Sequence, residues 1–167
     1  MVKRKKIILI AGLLIFLLVR LYTKGHSIDV YFKAKSWTKY IKNKDAEKMV
    51  KLFCSDIKNN SYHNTLEDLV VAFEFIDGDI VKCKYKGEGG RQETIEDYET
   101  VFYRCYPEYF IETSKGKKFT LIISYSYIWK EEKEREGIEQ IRIINYEGSN
   151  VYLGKEVCVG KQYSIHD

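Results

Sequence analysis

Hydrophobic and polar positions divide this chain into three regimes. Lys3, Arg4, Lys5 and Lys6 precede an unbroken apolar run from Ile7 to Val19. Up to Ile76 apolar residues then recur at helical spacing, and from Ile80 they recur at every second position. The helical part predicts three helices. Ser27 caps the first, whose Val30, Ala34, Trp37 and Ile41 share one face. Asn43-Lys44-Asp45 breaks it, and Ala46, Met49, Val50, Phe53 and Cys54 form the next amphipathic face. Ser55 to Asn64 is polar and predicts a loop. Thr65, with Asp68 three residues on, opens the third helix, faced by Leu66, Leu69, Val70, Phe73 and Ile76; Asp77-Gly78-Asp79 stops it.

In the period-two part, Val81, Cys83 and Tyr85 alternate with Lys82, Lys84 and Lys86, a half-buried strand with a solvated, edge-protecting face. Gly87-Glu88-Gly89-Gly90 predicts a hairpin turn. Val101 to Ile111 is an aromatic-rich strand in which Pro107 marks a bulge or edge position. Ser114 to Lys118 predicts a connection. Phe119, Leu121, Ile123, Tyr125, Tyr127 and Trp129 then face one way, and Thr120, Ser124 and Ser126 the other. Ile138–Tyr146 and Val151–Val159 are further strands. Helices followed by consecutive antiparallel strands make an α+β fold, about three helices packed on one curved antiparallel sheet.

The leading apolar run sets an address. A basic stub before an apolar segment is a translocation signal. At 1.5 Å per residue Ile7–Val19 spans roughly 20 Å, short of a membrane core of about 30 Å. Leu21 and Tyr22 extend it, while Lys6 and Arg20 can snorkel outward. The expectation is a cytoplasmic stub at 1–6, a transmembrane anchor or signal segment at 7–22, and an extracytoplasmic domain at 27–163. That makes a single-pass membrane protein with its C-terminal domain outside, or a secreted one if the leader is cleaved.

This address changes the meaning of the net charge of +4. Lys3, Arg4, Lys5, Lys6, Arg20 and Lys24 precede residue 25 without any acid; removing those six from the 28 basic residues leaves 22 against 24 acidic ones. The exported part is near neutral, which removes the electrostatic case for nucleic acid. With 14 Tyr, 8 Phe and 2 Trp against a single Pro, the chain as a whole has the makings of a sheet-rich core. Cys54, Cys83, Cys105 and Cys158 show no metal spacing and are expected as small buried thiols; if a disulfide forms outside the membrane, Cys83 and Cys105 are the pair to test first.

Three stretches carry a family likeness: YIKNKDAEKMVKLFC (Tyr40–Cys54), LEDLVVAFEFIDGDIV (Leu66–Val81) and IEQIRIINYEGSNVYLG (Ile138–Gly154). They resemble the bacterial domain of unknown function numbered 5104, found in exported proteins of Gram-positive bacteria. It lies within the nuclear transport factor 2-like superfamily, whose cone-shaped sheet is wrapped by helices. The resemblance spans roughly residues 28–160. It implies a fold and an exported setting but no activity. Many members carry a lipid-modified cysteine after the apolar run, and this chain has none there.

Candidate chemistry is sparse. Superfamily enzymes of the ketosteroid isomerase and scytalone dehydratase type use an Asp, His or Tyr inside the cone. Here His26, His63 and His166 fall in polar or terminal positions, Asp77 and Asp79 in a turn, and Glu139 with Arg142 on a strand, either facing inward or as an exposed cross-strand pair. No catalytic residue, metal ligand or cofactor emerges. The aromatic set Trp37, Tyr40, Phe73, Tyr103, Tyr106, Tyr125, Tyr127 and Trp129 serves either as core or as the lining of a ligand pocket. The expectation is a non-catalytic domain that binds a small ligand or a protein partner, possible as a homodimer through the sheet. The alternatives are an exported isomerase- or dehydratase-like enzyme, and an immunity-type or envelope-assembly protein.

Overall fold

The computed structural model describes residues 25–145 and 155–161. The anchor expected at 7–22 lies outside these residues; among the described residues no helix is long and apolar enough to cross a membrane. The chain divides into two compact units, Met1–Lys33 and Ala34–Asp167. The described part of the first is the opening of helix α1 (Gly25–Lys42), where Ile28, Tyr31 and Phe32 are exposed and the Tyr31 and Phe32 rings meet at 5.5 Å.

The second unit holds the rest of α1, then α2 (Ala46–Val50), α3 (Ser55–Phe75) and strands β1 (Ile80–Glu96), β2 (Glu99–Thr113), β3 (Lys118–Trp129), β4 (Gly137–Asn145) and β5 (Lys155–Gly160). The fold is α+β. The five strands are antiparallel and ordered β1-β2-β3-β4-β5, so each pairs with its sequence neighbours. The α1 stripe Val30, Ala34, Trp37 and Ile41 is buried as its spacing predicts. Ala34 accepts a 2.6 Å hydrogen bond from the Tyr109 hydroxyl, which ties the helix to β2.

Two helical expectations are corrected. Asp45 caps α2 by accepting from the Lys48 amide, but the helix ends at Val50, not Cys54. Residues 52–54 instead extend beside the start of β4. Phe53 bridges Ile138, the Cys54 amide donates to Ile138, and the Ile138 amide donates to Leu52. Gly137 permits this approach, because a Cβ there would lie 2.7 Å from the Cys54 nitrogen and its φ is +135°. The expected loop Ser55–Asn64 is helical and runs into α3 with a kink at Ser61. Its polar sequence is that of a helical stretch facing water, with Ile57 as its one buried position. On the same helix Val70 is exposed and Ala72 takes its place in the core.

The sheet carries three further corrections. Gly87–Gly90 is not a turn. It lies within β1, where register shifts after Tyr85 and after Glu88 bulge the strand. The turn is Asp97-Tyr98, with φ of +47° and +66°, the backbone of a two-residue primed hairpin. In β3 the odd-numbered row breaks. Arg104 pairs with Ser126 but Tyr103 with Ile128, so Tyr127 is an extra residue and Trp129 turns to the opposite face from Tyr125. Pro107 sits in the interior strand β2, opposite the β1 irregularity at Glu88. β1 is a sheet edge, as its lysine stripe predicts.

Candidate functional site

The face that meets α1 carries Tyr109, Cys105, Tyr125 and Tyr103, set there by the pleat of β2 and β3. Trp37 projects from α1 onto Tyr125, edge to face, with ring centroids 5.0 Å apart. Tyr125 contacts Tyr127 at 6.3 Å, and Tyr127 contacts Tyr103 at 6.4 Å. The ladder ends on a carboxyl group: the Tyr103 hydroxyl donates to Glu88 Oε2 across 3.3 Å. Glu88 is half-buried at the β1 bulge. Burial pushes its carboxyl pKa above the ordinary range, while the Tyr103 hydrogen bond and the charge of Arg91 partly oppose the shift. Protonated, Glu88 is a donor; ionised, it is an acceptor and a counter-charge. A weak acid against a phenol beside a series of edge-to-face and tilted rings can orient a ligand or exchange a proton with one.

The structure thus joins Trp37, Tyr103, Tyr125 and Tyr127 in one series of ring contacts, and the other candidates have the following places. Trp129 packs on Phe102 at 5.0 Å; Phe73 is buried on α3; Tyr40 is half-buried with the Lys48 ammonium 5.8 Å from its ring; Tyr106 is half-buried, one residue beyond Cys105 on the other face of β2. Trp37, Tyr103 and Tyr125 are themselves buried, so Tyr127 and Glu88 are the accessible end of the ladder. Sequence reasoning missed Glu88, because flanking glycines disguise a bulged strand as a turn.

A second polar centre lies between β2, β3 and β4. Arg104 is 1% exposed and Glu139 fully buried. Arg104 Nε donates to Glu139 Oε1 at 3.1 Å, Nη2 stands 3.0 Å from the same oxygen, and Ser126 Oγ donates to that carboxylate. Arg104 Nη1 reaches Gln92 Oε1 at 3.3 Å, and the guanidinium lies 5.1 Å and 5.4 Å from the Phe102 and Trp129 rings. Of the two readings of Glu139 and Arg142, the inward-facing one holds for Glu139 and the exposed pair between them is corrected. A register shift beside Ser124 leaves Glu139 unpaired in β4 and lets it turn inward, while Arg142 pairs with Glu156 at 3.2 Å. Arg104, Ser126 and Glu139 are buried, while Gln92 at the margin of the centre is exposed.

Cys83 and Cys105 are not bonded to each other. Cys83 stands opposite Ile111 and Cys105 opposite Arg91, well apart along the same ladder, and all four cysteines are free thiols. A third feature is a polar groove of about 390 Å³ at the α3 kink, lined by Asp56, Asn60, Asn64, Asp68 and Lys161 among others. His63 is exposed on the same helix with its ring against Tyr62. Among the described residues no group of three or more His, Cys, Asp or Glu side chains could hold a metal.

A family model described as Domain of unknown function (DUF5104) matches residues 37–146, which include both polar centres and the aromatic ladder. Comparison with curated proteins finds no match.

Proposed function

The chain belongs to this family of unknown function, and from that premise we propose that it is a membrane-anchored extracytoplasmic domain that binds a small aromatic or apolar ligand without turning it over. The address rests on Lys3–Lys6 and the apolar run behind them. The binding reading rests on one observation: the ladder from Trp37 ends at a half-buried carboxyl engaged by the Tyr103 hydroxyl. Edge-to-face and tilted rings supply apolar area, and Glu88 supplies one directional polar contact, the usual division of labour in ligand sites. The full chain in detergent, heated with and without neutral aromatic alcohols and aromatic amines, tests it. A ligand that binds only the folded state raises the melting temperature, by an amount that grows with the logarithm of ligand concentration above its Kd. The rise should be a few degrees at saturating ligand and should vanish in Tyr127→Ala. No rise with either class removes the reading.

The same carboxyl favours a second reading, an exported isomerase- or dehydratase-like enzyme. Glu88 would abstract a proton α to a carbonyl, and Tyr103 would hydrogen-bond the developing enolate oxygen. Deuterium incorporation into a cyclic ketone in heavy water, abolished by Glu88→Gln, would support turnover. Exchange at the uncatalysed rate leaves the binding reading.

A further inference from the structure

We propose that two copies of this chain associate through their β1–β2 hairpins, the acidic tip of each seated on the lysine stripe of the other. The tip projects: β1–β2 pairing continues to Glu96–Glu99, whereas pairing with β3 reaches only Phe102–Trp129. It exposes Ile95 by 62% and Tyr98 completely. Glu93, Glu96, Asp97 and Glu99 surround them, all exposed. Glu93 accepts from Thr100 and Glu99 from Lys130, but the Glu96 and Asp97 side chains have no hydrogen bond or ion pair among the described residues. Asp97 and Tyr98 hold positive φ without a glycine, a conformation that side-chain-bearing L residues resist. The fold therefore spends strain on presenting an aromatic ring to solvent among carboxylates, the arrangement of a contact rather than of a solubilising turn.

The receiving surface is at the other end of the same strand. Lys82, Lys84 and Lys86 are exposed there. The Lys82 and Lys86 ammonium groups each lie 5.6 Å from the ring of half-buried Phe110, which stands opposite Lys84. Lys82 also approaches Glu112 at 3.9 Å. An aromatic ring framed by ammonium groups matches an aromatic ring framed by carboxylates. Because β1 is a sheet edge, two copies can lie side by side with their hairpins antiparallel. Each tip then meets the other's stripe, giving two equivalent contacts and a closed, isologous dimer. The parallel alignment would set lysine against lysine.

The test is the mass of the full chain in detergent, measured by sedimentation at low and high salt. The wild type should be a dimer that dissociates as salt rises. Glu96→Lys/Asp97→Lys should weaken association by about tenfold or more, as should Lys82→Glu/Lys84→Glu/Lys86→Glu. Mixing the two reversed chains should restore a heterodimer, because both of its contacts then join opposite charges, the reversed tip on the reversed stripe and the unaltered tip on the unaltered stripe. Tyr98→Ala should weaken association without altering its salt dependence. A monomeric wild type, a dimer indifferent to either reversal, or failure of the mixed chains to pair overturns the proposal. Circular dichroism of each variant separates lost association from lost fold.

Discussion

Arg104 and Glu139 are 35 residues apart in sequence, and their side chains meet at 3.1 Å with 2% and 0% of their surface exposed. Taking two charges out of water is costly, and the pair persists because each satisfies the other with Ser126, Gln92 and two aromatic rings in support. Removing one partner strands the other. Glu139→Gln or Arg104→Met should each destabilise the domain by about 3–5 kcal/mol, read from the denaturant midpoint. The double replacement Arg104→Met/Glu139→Leu should recover much of that loss. If the single changes cost no more than a surface substitution, the pair contributes nothing.

Glu88 gives stability a pH dependence of known sign. Its folded-state pKa is raised, chiefly by burial, so the folded chain holds a proton that the unfolded chain has released. The contribution is full below the ordinary carboxyl value of 4.5 and is lost as pH rises through the raised folded value. Glu88→Gln should flatten this slope and leave the protein more stable at neutral pH. Tyr103→Phe removes the hydrogen bond that restrains the shift, so the Glu88 carboxyl should titrate at still higher pH. Denaturant midpoints measured across pH check the first, and carbon-detected NMR of the Glu88 side chain checks the second. A downward move in Tyr103→Phe would refute this account of the ladder's end.

The strands were legible because burial alternates with the pleat, and Phe119, Leu121 and Ile123 are all buried as written. What the sequence concealed has physical reasons. The Ser55–Asn64 segment carries so little buried surface that no apolar stripe marks it as helix. Glycines at 87, 89 and 90 accommodate bulges as readily as turns, while the actual turn at Asp97-Tyr98 has no glycine to announce it. Trp129 left the odd-numbered row because one extra residue in β3 inverts the pleat. The Arg104–Glu139 pair depends on register and on a bulge, neither of which is a local property. The same holds for Glu88: its partner Tyr103 lies on another strand.

The hairpin turn predicts a stabilising substitution. Asp97 and Tyr98 occupy the left-handed region at +47° and +66°, which costs a side-chain-bearing residue roughly 1–2 kcal/mol. Asn-Gly is the preferred pair for this geometry. Asp97→Asn/Tyr98→Gly should therefore stabilise the domain by about 1 kcal/mol, measured at a dilution where association does not contribute. A loss of stability would mean that the exposed Tyr98 ring makes a compensating contact within the chain.

The thiols predict an order of reactivity. Only the thiolate is nucleophilic, so rate follows exposure and the cost of ionising. Burial raises Cys54 and Cys105 and brings Cys83 to about 11. Cys158 is exposed yet also stands at about 11, raised by partial desolvation and then by its contact with Glu156. At pH 7.5 iodoacetamide should label Cys158 first, Cys83 more slowly, and Cys54 and Cys105 only on unfolding. Because the Cys158 thiol ionises near 11, its labelling rate should still climb about tenfold per pH unit between pH 8 and 10, where an unperturbed thiol levels off. Glu156→Gln removes the neighbouring negative charge and should bring that levelling to lower pH. In denaturant without reductant four thiols should titrate, matching the four free cysteines. A count of two would show that a pair closes into a disulfide, which the Cys83 and Cys105 positions on the β1–β2 ladder do not permit without a change of register.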